Sequence, residues 1–303
     1  PAAPVRRTLM AHRAGYVAIV GRPNVGKSTL LNALVGAKVA IVTPKPQTTR
    51  NRILGIRTLP DAQVVFLDTP GIHEGRSLIN RRMVEVARQA LGEADVVLAV
   101  IDASAGVTPA DRELVAGLAA LRATTIVVLS KRDRVGPPAL LPLMATLGTL
   151  LPGGDIVPVS ARTGENVPAV LDLVVKALPE SPRLYPEDEY TTETQRFLVQ
   201  ELIREQLFLQ TDEEIPYGTA VEVEEFTEKP ERNVLVLQAT ILVDREGHKG
   251  IIIGKGGERL REIGRRARLE VEALFGLKVF LELFVRAEPG WARNARRLKE
   301  LGL

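Results

Sequence analysis

The chain contains no cysteine, only three histidines and no long apolar run, and each of these shortages excludes a class of protein. Without cysteine there can be no disulfide and no thiolate metal site. The histidines (His12, His73 and His248) are too scattered to predict a zinc cluster. No apolar run approaches the roughly 20 residues that cross a bilayer, and no secretory signal is recognisable near the N-terminus. We therefore expect a cytoplasmic protein.

Charge is distributed unevenly along the chain, although the formal net charge is only +3. Residues 187–231 carry 14 acidic and 3 basic side chains, whereas residues 245–303 carry 14 basic and 8 acidic ones. A basic C-terminal region suggests a polyanionic partner. A solvated charged surface is the alternative that charge alone leaves open.

The 303 residues are enough for two domains, and the local patterns change between them. After an N-terminal extension (1–14), residues 15–180 alternate β-branched runs with segments of helical periodicity. This alternation predicts an α/β domain, with a mostly parallel sheet and helices on both faces. Residues 181–191 form a proline-containing linker. Residues 192–303 predict a small α+β domain that ends in a basic helix.

The predicted elements follow from periodicity and from the turn residues between them. In the first domain, strands are predicted at 16–20, 53–59, 63–68, 96–101, 125–129 and 156–159, and helices at 27–35, 78–91, 110–121 and 167–178. In the second domain, the order is helix 192–209, strands 219–226 and 233–243, a glycine-rich turn, helix 258–275 and strand 278–285. If residues 247–253 form a short helix, the order becomes helix–strand–strand–helix–helix–strand.

A phosphate-binding loop is predicted after the first strand, where GRPNVGKS matches G-x-x-x-x-G-K-[ST] at every fixed position. Backbone N–H groups and the start of the next helix favour phosphate there. Lys27 would neutralise the β- and γ-phosphates, and Ser28 would ligate Mg²⁺. The predicted nucleotide-binding residues here are Gly21, Arg22, Pro23, Asn24, Val25, Gly26, Lys27, Ser28 and Thr29.

A second phosphate-facing segment, Asp68-Thr69-Pro70-Gly71-Ile72, follows a neighbouring buried strand. The Asp68 carboxylate can hold Mg²⁺ through water, and the Gly71 N–H can bond the γ-phosphate. The polar loop before this strand offers Thr48 or Thr49 as a further Mg²⁺ ligand, of which we favour Thr49. The predicted metal ligands are Ser28, Thr49 and Asp68, and the predicted catalytic residues are Lys27, Thr49, Asp68 and Gly71.

Guanine specificity is predicted at the ends of the last two strands. The Asp133 carboxylate can accept both N1–H and N2–H₂ of guanine, a pattern that adenine does not offer. GTPases usually carry asparagine where this chain has Ser130, whose shorter hydroxyl can still bond the phosphate loop. The predicted base-contacting residues are Ser130, Lys131, Asp133, Ser160, Ala161 and Arg162.

A glycine-rich turn in the second domain predicts a contact with nucleic acid. It combines an isoleucine run with G-x-x-G, and an arginine-rich helix follows it. A tight turn between packed elements and arginines paired with glutamates are the alternatives. Trp291 is expected to cap the small core, with base stacking as the alternative. The predicted RNA-binding residues are Ile252, Ile253, Gly254, Lys255, Gly256, Gly257, Arg261 and Arg265.

Taken in order, these motifs resemble those of the Era family of bacterial ribosome-assembly GTPases, a P-loop GTPase domain followed by a type II KH domain. The resemblance runs from about residue 13 to 300. It implies GTP hydrolysis with Mg²⁺, GTP and GDP as ligands, and binding of single-stranded RNA from the 3′ end of small-subunit rRNA during 30S maturation.

The resemblance has further implications for individual residues and for partners. Ile72 stands where Ras-type GTPases place the water-orienting glutamine, which implies slow turnover. Asn24 resembles the residue with which related GTPases hold K⁺, so K⁺ dependence is a hypothesis. The family also implies peripheral association with the inner face of the cell membrane. We expect a monomer.

Two other functions compete with an RNA-dependent GTPase. A non-enzymatic RNA-binding module with a degraded nucleotide site is supported only by Ser130. A membrane-associated GTPase would place the basic segment 291–301 on anionic lipid.

Overall fold

The structure, a computed structural model, describes residues 12–71, 78–212 and 214–301. Its larger sheet has the strand order β2-β3-β1-β4-β5-β6. Only β2 and β3 pair antiparallel, as the predicted hairpin, while the other neighbours are parallel. The strands are β1 (Arg13–Val20), β2 (Ile53–Thr58), β3 (Ala62–Asp68), β4 (Val96–Asp102), β5 (Thr124–Ser130) and β6 (Asp155–Pro158).

Helices cover both faces of this sheet, because side chains alternate along each buried strand. Val17 and Ile19 face one apolar cluster, and Ala18 and Val20 face the other. The first cluster includes side chains of α1 (Lys27–Val35) and α5 (Val167–Ala177). The second includes side chains of α2 (Leu78–Glu93), α3 (Pro109–Ala119) and α4 (Pro137–Leu150).

The second domain is a three-stranded sheet packed against helices, as expected for a type II KH domain. Strands β7 and β8 are antiparallel, and β8 and β9 are parallel. The elements are α6 (Gln195–Gln210), β7 (Thr219–Lys229), β8 (Val234–Val243), α7 (Glu246–Ile253), α8 (Glu258–Phe275), β9 (Lys278–Ala287) and α9 (Ala295–Glu300).

Helix α4 is the main element that the sequence patterns did not predict. No element was assigned to this segment from the sequence. Pro137 and Pro138 occupy the first helical positions, where a missing N–H breaks no hydrogen bond. Pro142 lies inside the helix and Leu140 and Leu147 anchor it to the core. Strand β1 also begins earlier than expected, at Arg13.

The linker runs along the hairpin β2–β3. The Gln63 side chain accepts hydrogen bonds from the N–H groups of Leu184 and Tyr185 at 2.7 and 2.9 Å. The Ile56 N–H donates to the Tyr190 carbonyl at 2.9 Å, so the linker is hydrogen-bonded to the edge strand β2. The chain therefore enters the second domain from a fixed position.

Candidate functional site

Lys27 lies at the start of α1 and is almost completely buried. Its Nζ donates to the carbonyls of Gly21 at 3.1 Å and Arg22 at 2.9 Å. Burial lowers the pKa of Lys27 to about 8, although the nearby Asp68 carboxylate acts in the opposite direction. A phosphate group beside this amine would stabilise its charged form. The position of Lys27 therefore favours the binding of an anion in this loop.

Asp68, Ser28 and Thr49 form a group of oxygen atoms beside the phosphate loop. Ser28 Oγ donates to Asp68 Oδ2 at 2.7 Å, and the Ser28 and Thr49 hydroxyls lie 2.8 Å apart. Asp68 is fully buried, which raises its pKa, and its Oδ1 has no hydrogen-bond partner among the described residues. Such hard oxygen donors suit Mg²⁺, which takes few protein ligands and the phosphates of a nucleotide.

The two candidate threonines occupy different environments. Thr48 Oγ1 lies 2.6 Å from Thr43 Oγ1 and donates to the Lys45 carbonyl at 2.7 Å, within its own loop. Thr49 Oγ1 instead points to Asp68 Oδ2, at 3.4 Å. Of the two threonines, the structure therefore brings only Thr49 to the oxygen atoms of Ser28 and Asp68.

Gly71 packs directly against the phosphate loop. A Cβ atom at this position would lie 2.7 Å from Pro23 N and 2.8 Å from Pro23 Cα. A Cβ atom so close to main-chain atoms would clash, so only glycine allows the two main chains to approach each other this closely. The Gly71 main chain is thereby held beside the phosphate loop, while Ile72 lies outside the described residues.

The side of the cleft that is predicted to bind guanine is organised around Asp133. Ser160 Oγ donates to Asp133 Oδ1 at 2.8 Å, and this hydrogen bond lowers the pKa of Asp133. Lys131 reaches across the phosphate loop, where its Nζ bonds the Asn24 carbonyl and Asp102, both at 2.6 Å. An ionised carboxylate is thus oriented at the cleft edge. Ser160 itself is fully buried and positions Asp133.

A cleft of about 530 Å³ joins the phosphate and base sides. Most predicted residues line it: Pro23, Asn24, Gly26, Lys27, Ser28, Thr29, Thr49, Gly71, Ser130, Lys131, Asp133, Ala161 and Arg162. The remaining described candidates are not among the residues that line the cleft: Gly21, Arg22, Val25, Asp68, Thr69, Pro70 and Ser160. Residues that sequence reasoning missed also line it: Ile41, Val42, Thr43, Pro44, Gln47 and Arg134.

Arg22 belongs to the phosphate loop, but its side chain forms a hydrogen bond with a residue outside this loop. Its Nε donates to Asp111 Oδ1 at 2.8 Å, and Asp111 is fully buried. Asp111 Oδ2 also accepts from the backbone and the side chain of Thr108, which caps α3. The cap of α3 therefore fixes one side of the phosphate loop. The Thr-Pro-x-Asp pattern predicts a helix start, but not this partner.

The G-x-x-G turn joins α7 to α8 in the second domain. Lys255 and Gly256 are exposed, and Arg261 donates to the Gly256 carbonyl at 2.8 Å. Arg265 instead pairs with Glu262 at 2.7 Å on the exposed face of α8, as the alternative for these arginines foresaw. The turn and Arg261 are thus placed together on the surface.

Ile252 requires a correction to the predicted RNA surface. It has no exposed area and belongs to the core of the second domain, whereas Ile253 is partly exposed and Ile251 is 44% exposed. Helical geometry explains the difference, because consecutive residues point about 100° apart around α7. A continuous isoleucine run cannot place all its members on one surface.

The C-terminal segment packs on the outer side of the small sheet. Trp291 is buried with Leu242 and Leu298, which confirms core packing and excludes base stacking by this residue. Arg297 bonds Glu222 at 2.8 Å and Glu288 at 2.8 Å, and these carboxylates raise its pKa. Part of the basic charge predicted for this segment is therefore neutralised within the protein.

Residues 37–52, the α1–β2 segment, connect the nucleotide site to the second domain. Arg50 is buried and donates to the carbonyls of Thr219, Pro216 and Tyr217 at 2.7, 3.0 and 3.1 Å. Its guanidinium also lies 5.7 Å from the ring centre of Phe208 in α6. Sequence reasoning missed this contact, since a basic residue in a polar loop has no pattern that indicates burial.

Helix α6 contributes further polar groups to the same contact. Arg204 Nη2 donates to the Thr48 carbonyl at 2.5 Å and Arg204 pairs with Glu201 at 2.5 Å. The Val42 N–H donates to Glu205 at 2.8 Å. Lys38 bridges Glu205 in α6 and Glu270 in α8 at 2.7 and 2.9 Å. Several residues of the α1–β2 segment are thus bonded to the second domain.

The fold and the cleft together define a P-loop GTPase that carries a KH domain. Residues 16–131 match the family described as 50S ribosome-binding GTPase, and residues 214–292 match the KH domain family. The chain is 48% identical to GTPase Era of Geobacter metallireducens over 290 residues, which cover 96% of this chain and 97% of that protein. The chain belongs to the Era GTPase family.

Solved structures agree with this assignment over the whole fold. A crystal structure of an Aquifex aeolicus Era variant bound to GDP and AlF₄⁻ has a TM-score of 0.92 and 45% sequence identity. A structure of Era in complex with MgGDPNP and nucleotides 1506–1542 of 16S ribosomal RNA has the same two values. Each match covers 96% of this chain and 99% of the chain in the solved structure.

Proposed function

We propose that this GTPase couples GTP hydrolysis in the cleft to the binding of single-stranded RNA from the 3′ end of small-subunit rRNA, and acts as a switch in 30S assembly. The rRNA ligand is proposed because the related Era was solved with nucleotides 1506–1542 of 16S rRNA. The exposed G-x-x-G turn of this chain supports the same use.

Each part of the nucleotide has a proposed set of partners. Lys27 and the backbone of the phosphate loop bind the phosphates, and the Gly71 N–H is directed to the γ-phosphate. Ser28, Thr49 and Asp68 hold Mg²⁺, which when bound would neutralise charge on the phosphates. Asp133, oriented by Ser160, selects guanine. A K⁺ ion beside Asn24 stays a prediction.

The observation that supports coupling is the adjacency of Thr49 and Arg50. Thr49 belongs to the oxygen group that suits Mg²⁺, while Arg50 is inserted into the second domain. Because the two residues are adjacent, we expect a movement of Thr49 at the γ-phosphate to be transmitted to Arg50 and to its contact with the KH domain. This gives the two sites one shared structural element, as coupling requires.

The decisive experiment measures RNA affinity by fluorescence anisotropy with a short single-stranded fragment of the 3′ end of small-subunit rRNA. Wild type is compared with the Lys255→Asp, Gly256→Asp double variant, each with a non-hydrolysable GTP analogue and with GDP. We expect binding that depends on the nucleotide and is at least tenfold weaker in the double variant. Equal binding by both proteins would refute the role of the turn.

Location and membrane contact rest on the family resemblance. Within the described residues, no helix is both long and apolar enough to cross a bilayer. We propose a monomer in the cytoplasm. Peripheral contact through the C-terminal segment stays a prediction, which sedimentation with anionic liposomes would test. The exposed Arg296 and Lys299 favour such a contact, whereas the pairing of Arg297 opposes it.

A further inference from the structure

Ser130 ends strand β5 at the point where the base-binding side of the cleft meets the phosphate loop. Its hydroxyl lies 2.5 Å from the Val25 carbonyl and 3.1 Å from the Ile101 carbonyl. Both neighbours are acceptors, and a hydroxyl has only one proton to donate. That proton is therefore committed to the main chain, and chiefly to the phosphate loop at Val25.

The side chains of Ser160 and Lys131 are also engaged elsewhere. Ser160 donates its proton to Asp133, and the Lys131 ammonium bonds the Asn24 carbonyl and Asp102. Asp133 can only accept, which suits the N1–H and N2–H₂ groups on the Watson–Crick edge of guanine. The major-groove edge of guanine presents the acceptors N7 and O6, of which O6 also belongs to the Watson–Crick edge, and both need donors.

An asparagine at position 130 would provide what serine lacks. A carboxamide has two N–H donors, so one could bond the Val25 carbonyl while the other faced the base. Position 130 lines the cleft, and we expect the longer side chain to extend into it. The substitution that distinguishes this chain from the usual pattern therefore removes a donor without breaking the bond to the phosphate loop.

We propose that Ser130 leaves N7 of guanine unread, so that this protein recognises guanine through its Watson–Crick edge without a contribution from N7. Ser130 is then a specificity-determining residue. It holds the phosphate loop in place, but it does not distinguish bases that carry N7 from bases that lack it. The inference rests on the proposed guanine site at Asp133. It predicts that nucleotides in which N7 is replaced by carbon bind as well as their natural counterparts.

The test uses the full chain with Mg²⁺ and isothermal titration of GDP and 7-deaza-GDP, whose C–H group replaces N7. For wild type we expect the two dissociation constants to agree within about twofold. Ser130→Asn should restore a hydrogen bond to N7 and favour GDP by about two- to tenfold more than wild type does, the range expected for one neutral hydrogen bond.

Ser130→Ala is the matched control, since it removes the bond to Val25 without adding a donor. Its affinity for both nucleotides should fall together, with the ratio unchanged. A wild-type preference of more than fivefold for GDP would overturn the inference, because another group would then read N7. An unchanged ratio in a folded Ser130→Asn protein would also overturn it. If Ser130→Asn does not fold, the ratio of the dissociation constants for 7-deaza-GDP and GDP, measured for wild type and for Ser130→Ala, still tests the inference.

Failure of the guanine site itself would give a different result. A wild-type protein that binds ADP as tightly as GDP would refute the role of Asp133. A protein that prefers GDP to ADP and also prefers GDP to 7-deaza-GDP would refute only the inference about Ser130.

Discussion

At the scale of single residues, the nucleotide site depends on the buried polar atoms of Lys27 and Asp68 and on their hydrogen-bond partners. Lys27 is surrounded by carbonyl groups, and Asp68 keeps one buried oxygen without a hydrogen bond among the described residues. Buried polar atoms usually have partners, and exceptions in native proteins often mark ligand sites. The positions of these two residues therefore explain why both a phosphate and a cation are favoured here.

The environments of Thr48 and Thr49 lead to a prediction about Mg²⁺. Thr49→Ala should slow GTP hydrolysis by about 100-fold, because Mg²⁺ loses a ligand and neutralises the charge on the phosphates less well. Thr48→Ala is the matched control and should change the rate by less than about threefold, since its hydroxyl bonds only within the loop. Single-turnover hydrolysis at saturating Mg²⁺ measures both. Equal losses would contradict the assignment of Thr49.

The lowered pKa of Lys27 predicts a pH dependence of nucleotide binding. In the free protein the amine loses its proton near pH 8, whereas bound phosphate raises this pKa. Binding should therefore take up a proton above pH 8, and affinity should be full below that pH and weaken as pH rises. Calorimetric titrations with GDP in buffers of different ionisation enthalpy measure this uptake.

The expected uptake differs clearly between two conditions. It should be small at pH 7 and larger at pH 8.5, because burial lowers the free-state pKa of Lys27 to about 8. The same uptake at both pH values would show that Lys27 does not titrate in this range.

At the scale of elements, periodicity identified most strands and helices of both domains. Buried parallel strands are continuous apolar runs, and the helices that cover them repeat every three to four residues. The short helix α7, of eight residues, meets the condition on which the expected order of the second domain depended. Helix α4 was not predicted; it begins with two prolines, and the buried Leu140 and Leu147 pack it against the core.

The fine placement of residues on these elements was less predictable. The isoleucine run of α7 did not show that Ile252 faces the core. In the same way, Arg261 and Arg265 share a helix, yet one lies on the G-x-x-G turn and the other pairs with Glu262. These differences arise from the packing of whole elements against each other.

At the scale of the whole molecule, the α1–β2 segment is shared by both domains. Ile41 packs in the core of the second domain, and Arg50 and Arg204 both lie against the Phe208 ring. The nucleotide site and the KH domain are thus joined by buried contacts as well as by the linker.

This contact predicts the effect of removing Arg50. Arg50→Leu leaves three carbonyl groups of the second domain without their donor and should lower the free energy of unfolding by about 2–4 kcal/mol. It should also reduce the difference in RNA affinity between the GTP-analogue and GDP states to less than twofold. Urea unfolding and fluorescence anisotropy measure the two effects.

Arg52→Leu is the control for this change. Arg52 is two residues away and bonds Glu93 on the surface, so its loss should cost less than about 1 kcal/mol and leave the nucleotide effect intact. A folded Arg50→Leu protein that keeps the full nucleotide effect would exclude the α1–β2 segment as the route of coupling.

The sequence by itself determined the two domains, the order of most elements and the family, because glycine, lysine and aspartate at fixed spacings are local requirements of phosphate and base binding. Only the tertiary structure decided that Thr49 rather than Thr48 joins Ser28 and Asp68, that Arg22 bonds Asp111, and that Arg50 enters the second domain. These contacts link residues that are distant in sequence, and no local period specifies them. They arise when packed elements bring polar groups together in places where water is excluded and each buried group must find a partner.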